Sequence, residues 1–267
     1  MSDVFGLILL KQKFNFKELQ KKQAESIIKL LVNLGIKKES IFPKYCGGGK
    51  VEKLTHGKYK FDFQIPEDKF TLNALLDLGI PKENIRKDYT RDTLLALNLA
   101  SGNIAWGYRT EIEIKTDKNK FLDVATIELF MWDTILDNKN EIINLKDITY
   151  TLVLTVTGVE RLFLAANGIK DIREIPHIKK LYDNFGKKSI EIEYLRTLHA
   201  IYSDKKKDNF EMGKHRRVIV NRMIREVKIS EQKMRELLKL NSDLQPWFPE
   251  LKNGIDLAIS SILKMRK

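Results

Sequence analysis

The sequence is short of the residues that build disulfide and metal frameworks. Of its 267 residues one is a cysteine, Cys46, and four are histidines, His56, His177, His199 and His215. A single cysteine excludes an intramolecular disulfide and a cysteine zinc site, and it suits a reducing cytoplasm. The histidines are far apart and show no metal-ligand spacing. Long apolar runs are missing too. The run near the start, residues 4–10, is too short to span a bilayer and lacks the basic flank of a signal peptide, so no membrane span is expected.

Negative charge is the other shortage. Lysine and arginine number 48 against 36 aspartates and glutamates, a net charge of +12. Such an excess favours a polyanionic partner, nucleic acid first and an anionic membrane surface second. Hydrophobic content of 43% and charged content of 31% describe a globular protein that can bury a core in one large domain or two smaller ones.

Local patterns supply the rest. Residues 16–32 read as a helix, with Leu19, Ile27, Ile28, Leu30 and Leu31 on its apolar face. Gly35 stands where a left-handed cap would end it. The segment Leu34-Gly-Ile-Lys-Lys-Glu-Ser-Ile41 recurs 44 positions later as Leu78-Gly-Ile-Pro-Lys-Glu-Asn-Ile85, and a looser third copy is Ala166-Asn-Gly-Ile169. A helix, a glycine stop and a second short helix resemble the turn of a helix-turn-helix. A plain helical corner used for packing has the same pattern. Cys46-Gly-Gly-Gly-Lys50 lacks the spacing and the hydroxyl of a phosphate-binding P-loop and reads as a turn. Residues 59–65 alternate as a half-buried strand, and residues 90–100 read as a helix with Thr90 as its cap.

The centre of the chain is residues 107–117. Glu111, Glu113 and Lys115 alternate with Ile112 and Ile114, the period of a strand with three charges on one face. Residues 122–136 read as a helix and 148–156 as another strand. Strand, helix, strand implies a crossover and a parallel pair. The expected fold is α/β, with α+β as the alternative: a small mixed sheet with helices on both faces, helix-turn-helix-like units and a helical C-terminal region. Three regions are expected: residues 1–90, an α/β region with the duplicated turn; 91–188, a core; and 189–267, basic and helical. In the last, Lys214, Arg216, Arg217, Arg222 and Arg225 lie among apolar residues on one helix, and Lys205, Lys206 and Lys207 precede it. This patch is the expected nucleic-acid surface, with a solvated face as the bland alternative.

Glu113-Ile114-Lys115, preceded by Glu111, resembles the E-x-K element of the PD-(D/E)xK nuclease family, which includes many restriction endonucleases. The resemblance covers about residues 103–157. It implies a Mg²⁺-dependent endonuclease that hydrolyses phosphodiester bonds in duplex DNA. Glu113 and an upstream acid, Asp62 before Asp92, would then bind Mg²⁺, with Glu128 as an auxiliary ligand. Lys115 would assist the attacking water, with Glu111 beside it. Cutting both strands implies a homodimer. The chain departs from the family pattern in having no Pro-Asp dipeptide. The alternative is a non-catalytic DNA-binding protein, a replication initiator or transcription regulator, which needs the charge but not the acids.

Overall fold

In a computed structural model the described residues are 2–10, 15–50, 54–56, 59–61, 64–98, 104–117, 120–139, 142–186, 190–204 and 214–266. The chain is α/β, with a mixed seven-stranded sheet and eight α-helices among these residues. It divides into two compact units, residues 1–170 and 171–267. The boundary expected at residue 90 cuts a continuous sheet, and the one expected at 188 falls inside the second unit.

The first unit is built on β1 (Ser2–Leu10), β2 (Ile41–Cys46), β7 (Arg86–Asp88), β8 (Leu94–Asn98), β9 (Ile104–Asp117), β10 (Lys120–Leu136) and β11 (Ile142–Gly158). Their order is β1-β11-β10-β9-β2-β7, with β8 also on β9. The short strands β3 (Gly49–Lys50) and β6 (Gln64–Ile65) pair with each other, as do β4 (Leu54–His56) and β5 (Tyr59–Phe61).

Two expectations fail here. Residues 122–136 are not a helix but most of β10, and β9, β10 and β11 run antiparallel to their neighbours. The connections explain the direction. Two residues separate β9 from β10 and five separate β10 from β11, too few for a parallel crossover. Residues 91–98 are likewise a 3₁₀ turn and a strand rather than a helix.

Three helices belong to this unit: α1 (Phe16–Asn33), α2 (Lys69–Asp77) and α3 (Val159–Asn167). Ala24, Ile27, Ile28 and Leu31 of α1, Leu75 of α2 and Leu162 of α3 share one apolar cluster with Ile112, Ile114 and Ile127. Burying each such aliphatic side chain contributes roughly 1.5–3 kcal/mol before ordering costs. The helical layer of this unit therefore lies on the isoleucine face of β9, where helices on both faces were expected.

The repeat is real, but it is not a helix-turn-helix. After α1, Gly35 takes φ +85°, Gly35 N–H donates to Val32 O and Ile36 N–H to Leu31 O. After α2, Gly79 takes φ +76° with Gly79 N–H on Leu76 O and Ile80 N–H on Leu75 O. Both are Schellman caps, in which glycine adopts the left-handed conformation without a Cβ clash. Beyond each cap the chain makes one 3₁₀ turn (Lys38–Ser40 or Lys82–Asn84) and then enters a strand, β2 or β7. Each copy is thus a helix–turn–strand unit, and the two lie side by side with β2 and β7 parallel. Polar bonds join the copies. Lys38 Nζ donates to Leu78 O at 2.7 Å, and Asn84 Nδ2 to Glu39 O and Ile41 O. The third copy repeats the cap alone: Gly168 has φ +63° and Ile169 N–H donates to Leu164 O.

Asp68 caps α2, its carboxylate accepting from Thr71 N–H at 3.0 Å and from the Thr71 hydroxyl at 2.5 Å. Burial pushes this carboxyl from 3.8 up to about 6, against the pull of the Thr71 bonds. The folded-state value exceeds the unfolded one, so the protonated form favours the fold. Stability from this group is complete below pH 3.8 and is lost as pH rises towards 6. Urea unfolding should therefore show a loss on the order of 2 kcal/mol across that window. Asp68→Asn should flatten the profile; an unchanged slope would assign it to other groups.

The second unit consists of α4 (Pro176–Phe185), α5 (Ile190–Ser203), α6 (Lys214–Glu226), α7 (Glu231–Asp243) and α8 (Leu251–Arg266), in line with the helical C-terminal region expected. A buried polar link joins α5, α7 and the start of α8. His199 Nε2 lies 2.6 Å from Leu251 O and its Nδ1 lies 3.0 Å from Asn241 Nδ2. A carbonyl only accepts and an amide nitrogen only donates, so the ring is neutral with its proton on Nε2. Burial holds its pKa below the ordinary histidine value. Among the described residues no helix is long and apolar enough to cross a membrane.

Candidate functional site: a charged sheet face and a basic helix

Residues 111–115 form part of strand β9, as the alternation implied. Ile112 and Ile114 point into the core, and Arg109, Glu111 and Glu113 lie on the other face. Register then selects their neighbours. Lys44 of β2 stands opposite Glu111, Asp123 of β10 opposite Glu113, and Glu128 opposite Arg109.

Two of the acids expected at the site, Glu111 and Glu113, are engaged with cations. Lys44 Nζ lies 2.5 Å from Glu111 Oε2, and Arg109 lies 3.8 Å from the other oxygen of Glu111. Burial disfavours the Lys44 ammonium, but the bond and charge of Glu111 outweigh it and hold its pKa above the ordinary lysine value. Arg86 of β7 hydrogen-bonds Glu113. Its guanidinium also stacks 4.3 Å over the Phe121 ring. Lys115 is exposed, with Nζ 5.6 Å from the centre of the Phe42 ring.

Glu128 lies on β10 rather than on a helix, and it is only 7% exposed. Burial raises its pKa, opposed by the Arg109 charge and by a Thr126 hydrogen bond. Asp123 sits near a bulge in β10, where the register to β9 shifts between Asp123 and Ala125. Arg161 of α3 reaches it, with Nη1 donating to Asp123 Oδ2 at 2.6 Å and to Asp123 O at 3.1 Å. Burial raises the Asp123 pKa while Arg161 lowers it. These groups line a cavity of about 260 Å³ that also exposes Thr126, Thr157 and Gly158.

The expected Mg²⁺ ligands do not converge. Glu113 lies four residues along β9 from Arg109, the partner opposite Glu128, which is about 13 Å at the rise of a strand. One ion cannot be shared across that span. Among the described residues no group of three acidic, histidine or cysteine side chains could hold a metal ion. Asp62 lies outside the described residues, and Asp92 lies in a 3₁₀ turn and is exposed. Sequence reasoning misses Arg109, Asp123 and Arg161. Arg109 continues the alternation of Glu111 and Glu113 by one step, and that signal is readable. Asp123 and Arg161 meet only through tertiary structure.

In the second unit, α6 is seated by Val220, Met223, Ile224 and Val227, all buried. The exposed side carries Arg217, Arg222 and Arg225. Val218 is 62% exposed and falls four and seven residues before Arg222 and Arg225, on their face. Among the described residues Arg222 has one weak ion-pair partner, Glu226 at 4.0 Å. Lys205, Lys206 and Lys207 lie outside the described residues, as do the side chains of Lys214 and Arg216.

No family model matches this chain, and no curated protein matches it.

Proposed function

We propose that this chain is a DNA-binding protein that sets the outer face of α6 against backbone phosphates. The observation that carries this is the division of α6: four apolar side chains fix it to its unit while Arg217, Arg222 and Arg225 face outward. A guanidinium pairs with phosphate in a planar, bidentate way, and neutralising phosphates releases counterions, so such a row binds without needing a pocket. The net charge of +12 supports the same reading. With its lone thiol, such a protein would work in the reducing cytoplasm.

A second reading, a Mg²⁺-dependent endonuclease acting as a dimer, keeps one specific support: Glu111, Glu113 and Lys115 do alternate along a strand, as an E-x-K element requires. The residues described do not assemble a metal centre, so no step through Mg²⁺ follows from them. The readings separate on a gel. Mixed-sequence phage DNA incubated with the protein should shift in mobility equally with Mg²⁺ and with EDTA and stay intact. Discrete fragments formed only with Mg²⁺, and lost in Lys115→Ala, would replace the binding reading by the nuclease.

A further inference from the structure

The cavity beside the β10 bulge has a composition that the salt-bridged sheet around it does not need. At one end stand Arg161 and the N-terminus of α3, whose cap residue Gly158 offers no side-chain hydrogen bond. Arg109 lies on the other side of the same space, cross-strand from Glu128. Arg161 and the helix N-terminus make one anion-attracting end. At the far end is Glu128, nine-tenths buried yet lining the cavity, with no ion pair within 4.0 Å among the described residues.

We infer that this cavity binds a phosphate monoester carried on a hydroxylated sugar, the chemistry shared by a free nucleotide and the phosphorylated end of a nucleic-acid strand. Arg161 and the α3 N-terminus take the phosphate oxygens. At the other end Arg109 donates to a sugar hydroxyl and the Glu128 carboxyl accepts from one. Asp123 and Glu128 are five residues apart on β10, about 13 Å of strand once the bulge is allowed for. A phosphorylated pentose spans the gap between side chains reaching in from both ends. At about 260 Å³ the cavity is below the usual range for drug-sized ligands, which excludes a dinucleotide held whole.

The inference is independent of α6, because the cavity lies in the first unit and the α6 arginines in the second. The test is calorimetric titration of the full chain with AMP, adenosine, ribose 5-phosphate, and one oligonucleotide with and without a 5′-phosphate. AMP and ribose 5-phosphate should bind saturably and adenosine should not. A preference for the 5′-phosphorylated oligonucleotide over AMP would identify a strand end as the source; the reverse would identify a free nucleotide. Arg161→Ala, at a side chain 53% exposed, should keep the fold and weaken AMP at least tenfold. Glu128→Gln should weaken AMP but leave inorganic phosphate unchanged, a split that a merely structural role would not produce. Equal binding of AMP and adenosine, no saturable binding of any phosphate, or an Arg161→Ala protein that binds AMP like the parent would each overturn the inference. Arg222→Ala/Arg225→Ala should leave AMP binding intact even where duplex binding is lost.

Discussion

Replacing Arg217, Arg222 and Arg225 together with alanine should lower duplex-DNA affinity on the order of a hundredfold near physiological salt. The same triple variant should flatten the slope of log affinity against log salt by about 2–3, since each phosphate neutralised contributes about 0.9. Fluorescence anisotropy over a salt series measures both. The residues are exposed, and surface substitutions of this kind usually change stability by less than about half a kcal/mol. An unchanged melting curve therefore separates lost contact from lost fold. The effect is steep because the charges act together on one helix face. Val218 supplies an internal control. Its side chain lies on that face, is 62% exposed and carries no charge, so Val218→Ala should leave the salt slope untouched. A triple variant with the parent's slope would remove α6 from the interface and leave the net charge as a bulk property.

The regions that can be read from sequence are those where one local rule suffices. Residues 16–33 form α1 because apolar residues recur at helical spacing and Gly35 stops them. Residues 104–117 form β9 because its charged and aliphatic residues alternate. The region 120–136 defeats the same rule. Residues 124–130 are all buried, so alternation is erased, and a continuous apolar run does not distinguish strand from helix. Its length of 17 residues points towards a helix, since most strands have about five or six. The content of Val124, Thr126, Ile127, Thr134 and Ile135 points the other way. Register shifts at Asp123/Ala125 and Phe130/Trp132 break the remaining periodicity. The repeat is visible in the sequence, but its second element is not, because a one-turn 3₁₀ segment has no periodicity of its own. The candidate site is half legible for a related reason. Glu111, Glu113 and Lys115 are local to one strand, whereas Lys44 and Arg86 reach the two glutamates from strands far back in the chain. Arg161 comes to Asp123 from a helix beyond the next strand. No local pattern encodes those pairings.

The pairing of β9 with β10 leaves no room for a side chain at Gly107. A Cβ built there would stand 2.1 Å from Leu129 O, 2.5 Å from Phe130 Cα and 2.7 Å from Leu129 C. All three are backbone atoms of the neighbouring strand β10, so no side chain can swing aside. Gly107→Ala must push β10 away from β9 or undo their pairing, and the cost should reach about 3 kcal/mol or more, the upper end for overpacking. Gly168→Ala is the comparison. Space is open there, but φ is +63°, so the cost is conformational only, about 1–2 kcal/mol. Urea unfolding followed by tryptophan fluorescence resolves the two, with Trp106 and Trp132 reporting on the first unit and Trp247 on the second. The effect should extend to binding. Gly107 lies opposite Phe130, and two residues along the same pair of strands Arg109 lies opposite Glu128. Displacing β10 at Phe130 therefore displaces the carboxyl that closes the cavity. Gly107→Ala should lose AMP binding under conditions where the protein is still folded, while Gly168→Ala, at the other end of α3 from Arg161, should retain it. Equal stability of Gly107→Ala and the parent would mean that β9 and β10 are spaced more widely than their register implies, and with it that Arg109 and Glu128 do not share one cavity.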